Sequence, residues 1–472
     1  MIPALIVVAI ALLAAYKIFV VPRSLAHLPR VPVLALLGSY ISKEPEDERI
    51  HRLILPFANE HGHPLVLVWA FGFWVVHVMD YEIGVAALRD RVWVRQLPPQ
   101  DLLIWKLVGK SNLAFSVGEV WRRHSHLVNS ALQGTPPFSD FVLITQRLFH
   151  LLGEGGEQVQ WDEISQRVTL DILGHSVLGH NFEAVMKPDS PFAKGYREVM
   201  HALMQPPYIF LPFLDKYFPR RQVELKVEKL RDTLRTIIEN KKGGALGDDL
   251  ISRMISNPDF SREELLDNVT VLFIAGHDTT AGGLTSVMYY LAKHPVYQEK
   301  ARAEVLSVLG ETQDPNLDTV TRMPYVFACI REAMRMNNPS NATLPRSADT
   351  TTQLGSYVIP PKTLMSFNIA ATHHREDVYP NHNIYDPERF TNQDSASQNG
   401  LAVFGMGLRQ CPARNFAMWE LRTVVALLLR TYEWNLSKDS KHTDRVHNGF
   451  SFSTNLNLPV GVSVDIRRRE KA

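Results

Sequence analysis

The segment Phe404-Gly-Met-Gly-Leu-Arg-Gln-Cys-Pro-Ala413 concentrates residues able to do chemistry. Gly405 and Gly407 permit a tight turn with positive φ. The turn leads into Cys411, and Pro412 suits the first position of a helix that continues through the apolar run NFAMWELRTVVALLL. A cysteine at a helix N-terminus has its thiolate favoured by the helix dipole and by free backbone N–H groups. Arg409, two residues earlier, adds positive charge. A thiolate in that setting is a nucleophile or a soft metal ligand. A lone cysteine is more often a small buried hydrophobe, so the neighbours of Cys411 decide its role.

Three further patterns lie upstream. Ser261 and Glu264 have capping-box spacing at the start of a long helix that ends at Lys293-His294-Pro295. Its middle reads Ala275-Gly-His-Asp-Thr-Thr280, where glycine and two β-branched polar residues are unfavourable in mid-helix. The Thr279 hydroxyl is spaced to bond the Ala275 carbonyl four residues back, which opens the helix, and Gly276 leaves room for a small ligand. Glu332-Ala-Met-Arg335 puts an acid and a base on one helix face, and Pro387-Glu-Arg-Phe390 follows downstream. Between them, Leu344-Pro-Arg346 offers a guanidinium suited to a bidentate grip on a carboxylate.

Together, and in this order, these residues resemble the cytochrome P-450 superfamily, whose haem loop reads F-x-x-G-x-R-x-C-x-G. Phe404, Gly407, Arg409, Cys411 and the later Ala417 match; the final glycine is Ala413 here. The resemblance implies a mainly α fold with a small β portion, and haem b with Cys411 as its axial thiolate. It implies that Thr279 and Asp278 handle dioxygen and its protons, that Arg346 holds a haem propionate, and that Arg409 is a cofactor-binding residue of the haem loop. It also implies that Glu332, Arg335 and Arg389 form a buried structural triad. Trp121-Arg-Arg-His-Ser125 resembles the family's W-x-x-x-R, with Trp121 present and Ser125 where the arginine belongs. His124 and Arg122 stay open as substitutes.

The resemblance further implies one oxygen atom inserted from dioxygen into a C–H or C=C bond, with electrons from NADPH. The chain lacks a G-x-G-x-x-G fingerprint, so a separate reductase is expected, with cytochrome b5 as a second candidate donor. Apolar segments are expected to line the substrate side: Leu113 and Phe115, Phe273 and Ala275, Leu344, and Phe450. They suit a steroid, terpenoid or fatty-acid-like substrate. The alternatives are a haem-thiolate isomerase, dehydratase or peroxygenase needing no dioxygen, and a haem sensor; Asp278-Thr279 argues against both.

The elements that must position these residues fall within a 472-residue chain of net charge +1, which gives no reason to expect nucleic acid as a partner. Two cysteines, Cys329 and Cys411, rule out a disulfide scaffold and suit a reducing compartment. Residues 2–21 form a nearly unbroken apolar run with Lys17 as its only charge, long enough to span a bilayer. Arg23 and Arg30 follow it, so the positive-inside rule predicts a single-pass endoplasmic reticulum anchor with the rest in the cytosol. A cleaved signal peptide is the competing reading. With the anchor and a cytosolic domain, the sequons at Asn268, Asn341 and Asn435 go unused. Pro22, Pro29 and Pro32 predict an extended hinge over 22–37, and one catalytic domain is expected over 38–472. The apolar, proline-broken segment 203–219 reads either as a core helix pair or as a flap touching the bilayer.

Overall fold

The computed structural model describes residues 16, 19–70, 73–203, 205, 208, 213–244, 246–247, 249–391, 401–449 and 456–470. Helix dominates, at 54%, with 12% strand. The site is framed by α1 (Gly118–Leu132), α2 (Phe138–Leu152), α3 (Trp161–Leu173), α4 (Pro191–Leu203), α5 (Arg221–Lys242), α6 (Arg262–Lys293), α7 (Pro295–Leu309), α8 (Pro324–Met336) and α9 (Arg414–Thr431). α6 is the axle, packing against α3, α8 and α9. Its start forms for the reason expected: the Ser261 hydroxyl accepts from Glu264 N–H, and the Glu264 carboxylate accepts from Ser261 N–H. Beyond Thr280 the helix is buried on nearly all sides, so its amphipathic stripe disappears where it crosses the core.

The β portion comprises β1 (Leu65–Ala70), β2 (Phe73–Val78), β3 (Val94–Arg95), β4 (Gly155–Gln160), β5 (Arg346–Ser347), β6 (Thr352–Leu354), β7 (Tyr357–Ile359), β8 (Leu364–Phe367), β9 (Tyr432–Leu436) and β10 (Ser463–Arg468). One sheet has the order β1-β2-β8-β5-β3, a second β4-β10-β9, and β6 pairs with β7. In the first sheet β2 and β8 are parallel, and β5 pairs antiparallel with β3 so that Arg346 lies directly opposite Arg95.

Most of the run 2–21 lies outside the described residues, and among those described no helix is long and apolar enough to cross a membrane. The hinge differs from expectation. Val33–Ile41 is a helix that begins directly after Pro32, which starts a helix as readily as it breaks one. Ahead of it, Val31 N–H donates to the Leu67 carbonyl and Leu67 N–H to the Pro29 carbonyl, which ties the segment to the edge of β1. Val31 and Leu36 are fully buried, so this stretch is part of the domain and not a free spacer. Asn268 and Asn341 are buried, so neither sequon is accessible in the folded chain, whereas Asn435 is exposed.

Candidate active site

Cys411 sits on a loop shaped by its glycines. Gly405 and Gly407 take φ of +67° and +71°. A Cβ on Gly407 would lie 2.5 Å from the Leu88 carbonyl oxygen, so a side chain is excluded there by contact as well as by dihedral. Cys411 N–H closes the loop by donating to the Phe404 carbonyl at 2.9 Å. The following helix, α9, starts at Arg414, so Pro412 precedes the helix and does not open it. Ala413 has φ −91°, a conformation any residue adopts, which explains why alanine replaces the expected glycine without strain. Burial pushes the Cys411 thiol up, opposed by the Ala413 N–H and the Arg414 charge. The dipole and neighbouring charge therefore do not by themselves give a thiolate; a bound metal cation would.

Phe404, Gly405, Arg409 and Cys411 line a cavity of about 440 Å³ together with Trp121, Leu113, Ala275, Thr279 and Leu344. Arg95, on β3, also lines it and carried no sequence signal beyond being one more arginine. Two guanidinium groups thus line the cavity, and a third, Arg346, does not line it but lies directly across the sheet from Arg95. Arg409 donates to the Ser116 carbonyl at 2.8 Å and stacks on Trp121, 4.0 Å from the ring centroid. Arg346 donates to the Leu88 carbonyl at 3.1 Å, and Arg95 to the Ala114 carbonyl at 2.6 Å. The Nε atoms of Arg95 and Arg346 are buried without a partner. Burial pushes Arg95 and Arg346 down to about 10 and Arg409 to about 9, with mutual repulsion adding to the effect on Arg95 and Arg409. Among the described residues, no acidic side chain figures among the charges acting on them. Like charges directly across a β pair are destabilising, and buried charges require partners. A flat ligand carrying two carboxylates, with its metal on Cys411, satisfies the whole set; haem fits.

The propionate contact left open at Ser125 is not supplied by its neighbours. His124 is fully buried on the far side of α1, where Nε2 faces Glu264 Oε1 at 3.1 Å and Nδ1 faces Asn268 Nδ2 at 3.2 Å. Trp121 and Ser125 line the cavity and His124 does not. Arg122 pairs with Glu119 at the surface. Arg95 and Arg409 are the cations that share the cavity with Ser125 among the described residues.

On the opposite wall, Thr279 donates to the Ala275 carbonyl at 2.6 Å, the back-bond expected from its spacing. Asp278 lies one residue round the helix, where Tyr196 Oη donates to Oδ2 at 2.8 Å and His277 Nδ1 faces Oδ1 at 2.8 Å. The Tyr196 contact carries no sequence signal because α4 is remote in sequence, whereas His277 is the neighbouring residue on α6. Of the apolar candidates, Leu113, Ala275 and Leu344 line the cavity. Phe273 does not; it is buried among Phe182, Phe192, Tyr196 and His277. Phe115 does not line it either, and packs edge-on against Trp105. Phe450 lies outside the described residues.

Beneath the site, Glu332 and Arg335 are fully buried and bonded in bidentate fashion at 2.7 and 2.8 Å. Arg389 Nε lies 3.4 Å from Glu332 Oε1, and Asp386 N–H donates to the same oxygen. Arg335 also donates to the carbonyls of His373 and His382.

A sequence model of the cytochrome P450 family matches residues 29–458. The chain is 26% identical to a cytokinin hydroxylase of Arabidopsis thaliana, covering 75% of this chain and 72% of that one. It is 28% identical to cytochrome P450 CYP72A616 of Paris polyphylla (84% and 80% covered) and 27% identical to human cytochrome P450 4F8 (70% and 71% covered). Its fold matches the crystal structure of the cytochrome P450DA heme domain, with TM-score 0.80 at 21% identity over 94% of this chain and 97% of that one.

Proposed function

We propose that this chain, which belongs to the cytochrome P450 family and is a monooxygenase with haem b bound through a cysteine thiolate, oxidises a lipophilic substrate at a membrane surface. Cys411 would be the axial ligand, with Arg95, Arg346 and Arg409 holding the propionates and Trp121 buttressing Arg409. Haem with a thiolate ligand supplies reductive cleavage of dioxygen when bound. The convergence of two guanidinium groups, Arg95 and Arg409, and the Cys411 thiol on a single cavity, with Arg346 directly opposite Arg95 across the sheet, carries this reading.

The chain's own residues do the rest. The Thr279 hydroxyl, back-bonded to Ala275, faces the cavity and is free to accept a hydrogen bond and to hold a water there. Asp278, on the adjoining face, would take a proton from solvent and hand it to that water, the carboxylate's part in general acid–base transfer. Leu113, Leu272, Ala275, Ala342, Leu344 and Ile369 give an apolar wall that excludes bulk water and favours a lipophilic substrate. Exposed Phe213, Tyr217 and Phe218, within the 203–219 segment, support contact with the bilayer beside an anchor at 2–21. Electrons would come from a separate NADPH-dependent reductase at the endoplasmic reticulum membrane, with cytochrome b5 as a second donor.

The full chain, reconstituted in vesicles with an NADPH–P450 reductase, tests this. A lipophilic panel is first screened for substrate-induced spectral shifts. Product should then carry one atom from isotopically labelled dioxygen and should require NADPH. Turnover that persists without dioxygen or reductase would instead establish isomerase, dehydratase or peroxygenase chemistry.

A further inference from the structure

Asp278 does not line the cavity that Thr279 lines. Both of its oxygens are engaged elsewhere, Oδ2 by the Tyr196 hydroxyl and Oδ1 by His277. His277 is itself fixed at its other end, with Nε2 2.9 Å from the Gln166 carbonyl of α3. Tyr196 is buried, and its ring stands edge-on to both Phe273 and His277, with centroids 5.4 and 5.2 Å away. The Phe273 and His277 rings lie parallel, 6.1 Å apart. Burial first, and the Asp278 charge second, hold the Tyr196 phenol well above its ordinary value, so it stays a donor. The carboxylate is thus held by a packed aromatic box built from α3, α4 and α6.

The position of Tyr196 matters because α4 ends at Leu203, where the apolar 203–219 segment begins. The acid assigned to proton delivery is therefore tied by its Oδ2 to the helix that leads into the 203–219 segment. Each oxygen keeps a second lone pair, but Asp278 lies outside the cavity lining, and its carboxylate reaches a water beside Thr279 only if the side chain turns away from Tyr196 and His277. One of the two bonds must open first, by rotation of a single side chain.

We propose that Tyr196 and His277 are positioning residues that latch Asp278 away from the cavity until α4 shifts. While latched, the acid is kept from protonating the site before a substrate is present. This rests on the assignment of proton delivery to Asp278 made above. Opening the Tyr196 bond frees Oδ2 toward Thr279, and the proton that Asp278 then passes on is replaced from solvent.

The test uses the full chain with its haem and reductase, and three single variants: Tyr196→Phe, His277→Ala and Asp278→Asn. Tyr196→Phe keeps the ring packing and removes only the hydroxyl. With the latch open, NADPH consumption without substrate should rise several-fold, product per NADPH should fall, and the substrate dissociation constant read from the spectral shift should stay unchanged. His277→Ala should move the same ratio in the same direction. Neither change should alter NADPH consumption in the Asp278→Asn background. Melting temperatures, measured in the apoprotein as well, should show that Tyr196→Phe and Asp278→Asn are non-additive, because they break the same bond. If Tyr196→Phe has equal effects with and without Asp278, or none, the latch is overturned and the contact is only structural. If Asp278→Asn alone leaves product per NADPH unchanged, the proton assignment itself fails, and the latch fails with it.

Discussion

Two sets of buried arginines lie within one domain and are built on opposite plans. Arg335 is fully buried with its carboxylate, Glu332, in bidentate contact, and two backbone carbonyls accept from it as well. Arg346 is also buried and Arg95 and Arg409 half-buried, yet among the described residues no acid meets them, and their partners are backbone carbonyls and an aromatic face. A folded chain carries an uncompensated buried charge only at a penalty of several kcal/mol. The first set is therefore complete as a protein structure, and the second is complete only with a dianionic ligand. The difference separates what holds the fold from what holds the cofactor.

The largest expected effect breaks the complete set. Glu332→Gln leaves Arg335 and Arg389 without their carboxylate in a fully buried position. The domain should lose about 3–5 kcal/mol of stability, read as a lowered urea midpoint in both apo and haem-loaded protein. If the loss appears only in the haem-loaded form, the two sets are not distinct.

Changing the incomplete set should do the reverse. Arg346→Leu removes a cation that repels Arg95 and Arg409, so the apoprotein should keep or gain stability. Haem should bind roughly 10- to 100-fold more weakly, from the loss of a charge-assisted contact. Competition against apomyoglobin measures this. An apoprotein destabilised as strongly as Glu332→Gln, with haem affinity unchanged, would show that Arg346 is a structural residue.

The smallest effect is on acidification near the complete set. Burial first, and the Arg335 charge second, hold His373 down to about 3 against an ordinary 6.5, and His374 is pushed down by the same burial and by the cations around it. The unfolded chain therefore takes up protons before the folded one as pH falls below about 6.5. Stability is full above that value and is lost progressively toward pH 3. Urea midpoints taken across that range should fall steadily, and a flat profile would mean that both imidazoles charge freely in the folded state.

Legibility in the sequence followed the same division. The haem loop, the long helix with its cap, the Thr279 back-bond and the Glu332–Arg335 pair were readable because each depends on residues close in sequence. Glycine dihedrals, capping and helix-face spacing are local properties. The cavity's far side was not readable in that way. Arg95 faces Arg346 only because β3 pairs with β5, and Tyr196 reaches Asp278 only because α4 crosses α6. His124 and Phe273 were misplaced because an apolar or titratable residue near a motif says nothing about which side of its helix meets the cavity. Both face the packed interior instead. At the N-terminus, proline was read as a spacer signal where Pro32 in fact opens the helix Val33–Ile41.

The central claim is that Cys411, alone among the residues around this cavity, supplies the axial sulfur. The absorption spectrum of the reduced, CO-bound protein tests it most directly. The account predicts the red-shifted Soret band of thiolate ligation in the native chain, and its loss in Cys411→Ser with Arg95, Arg346 and Arg409 intact. A Cys411→Ser protein that keeps that band would contradict it.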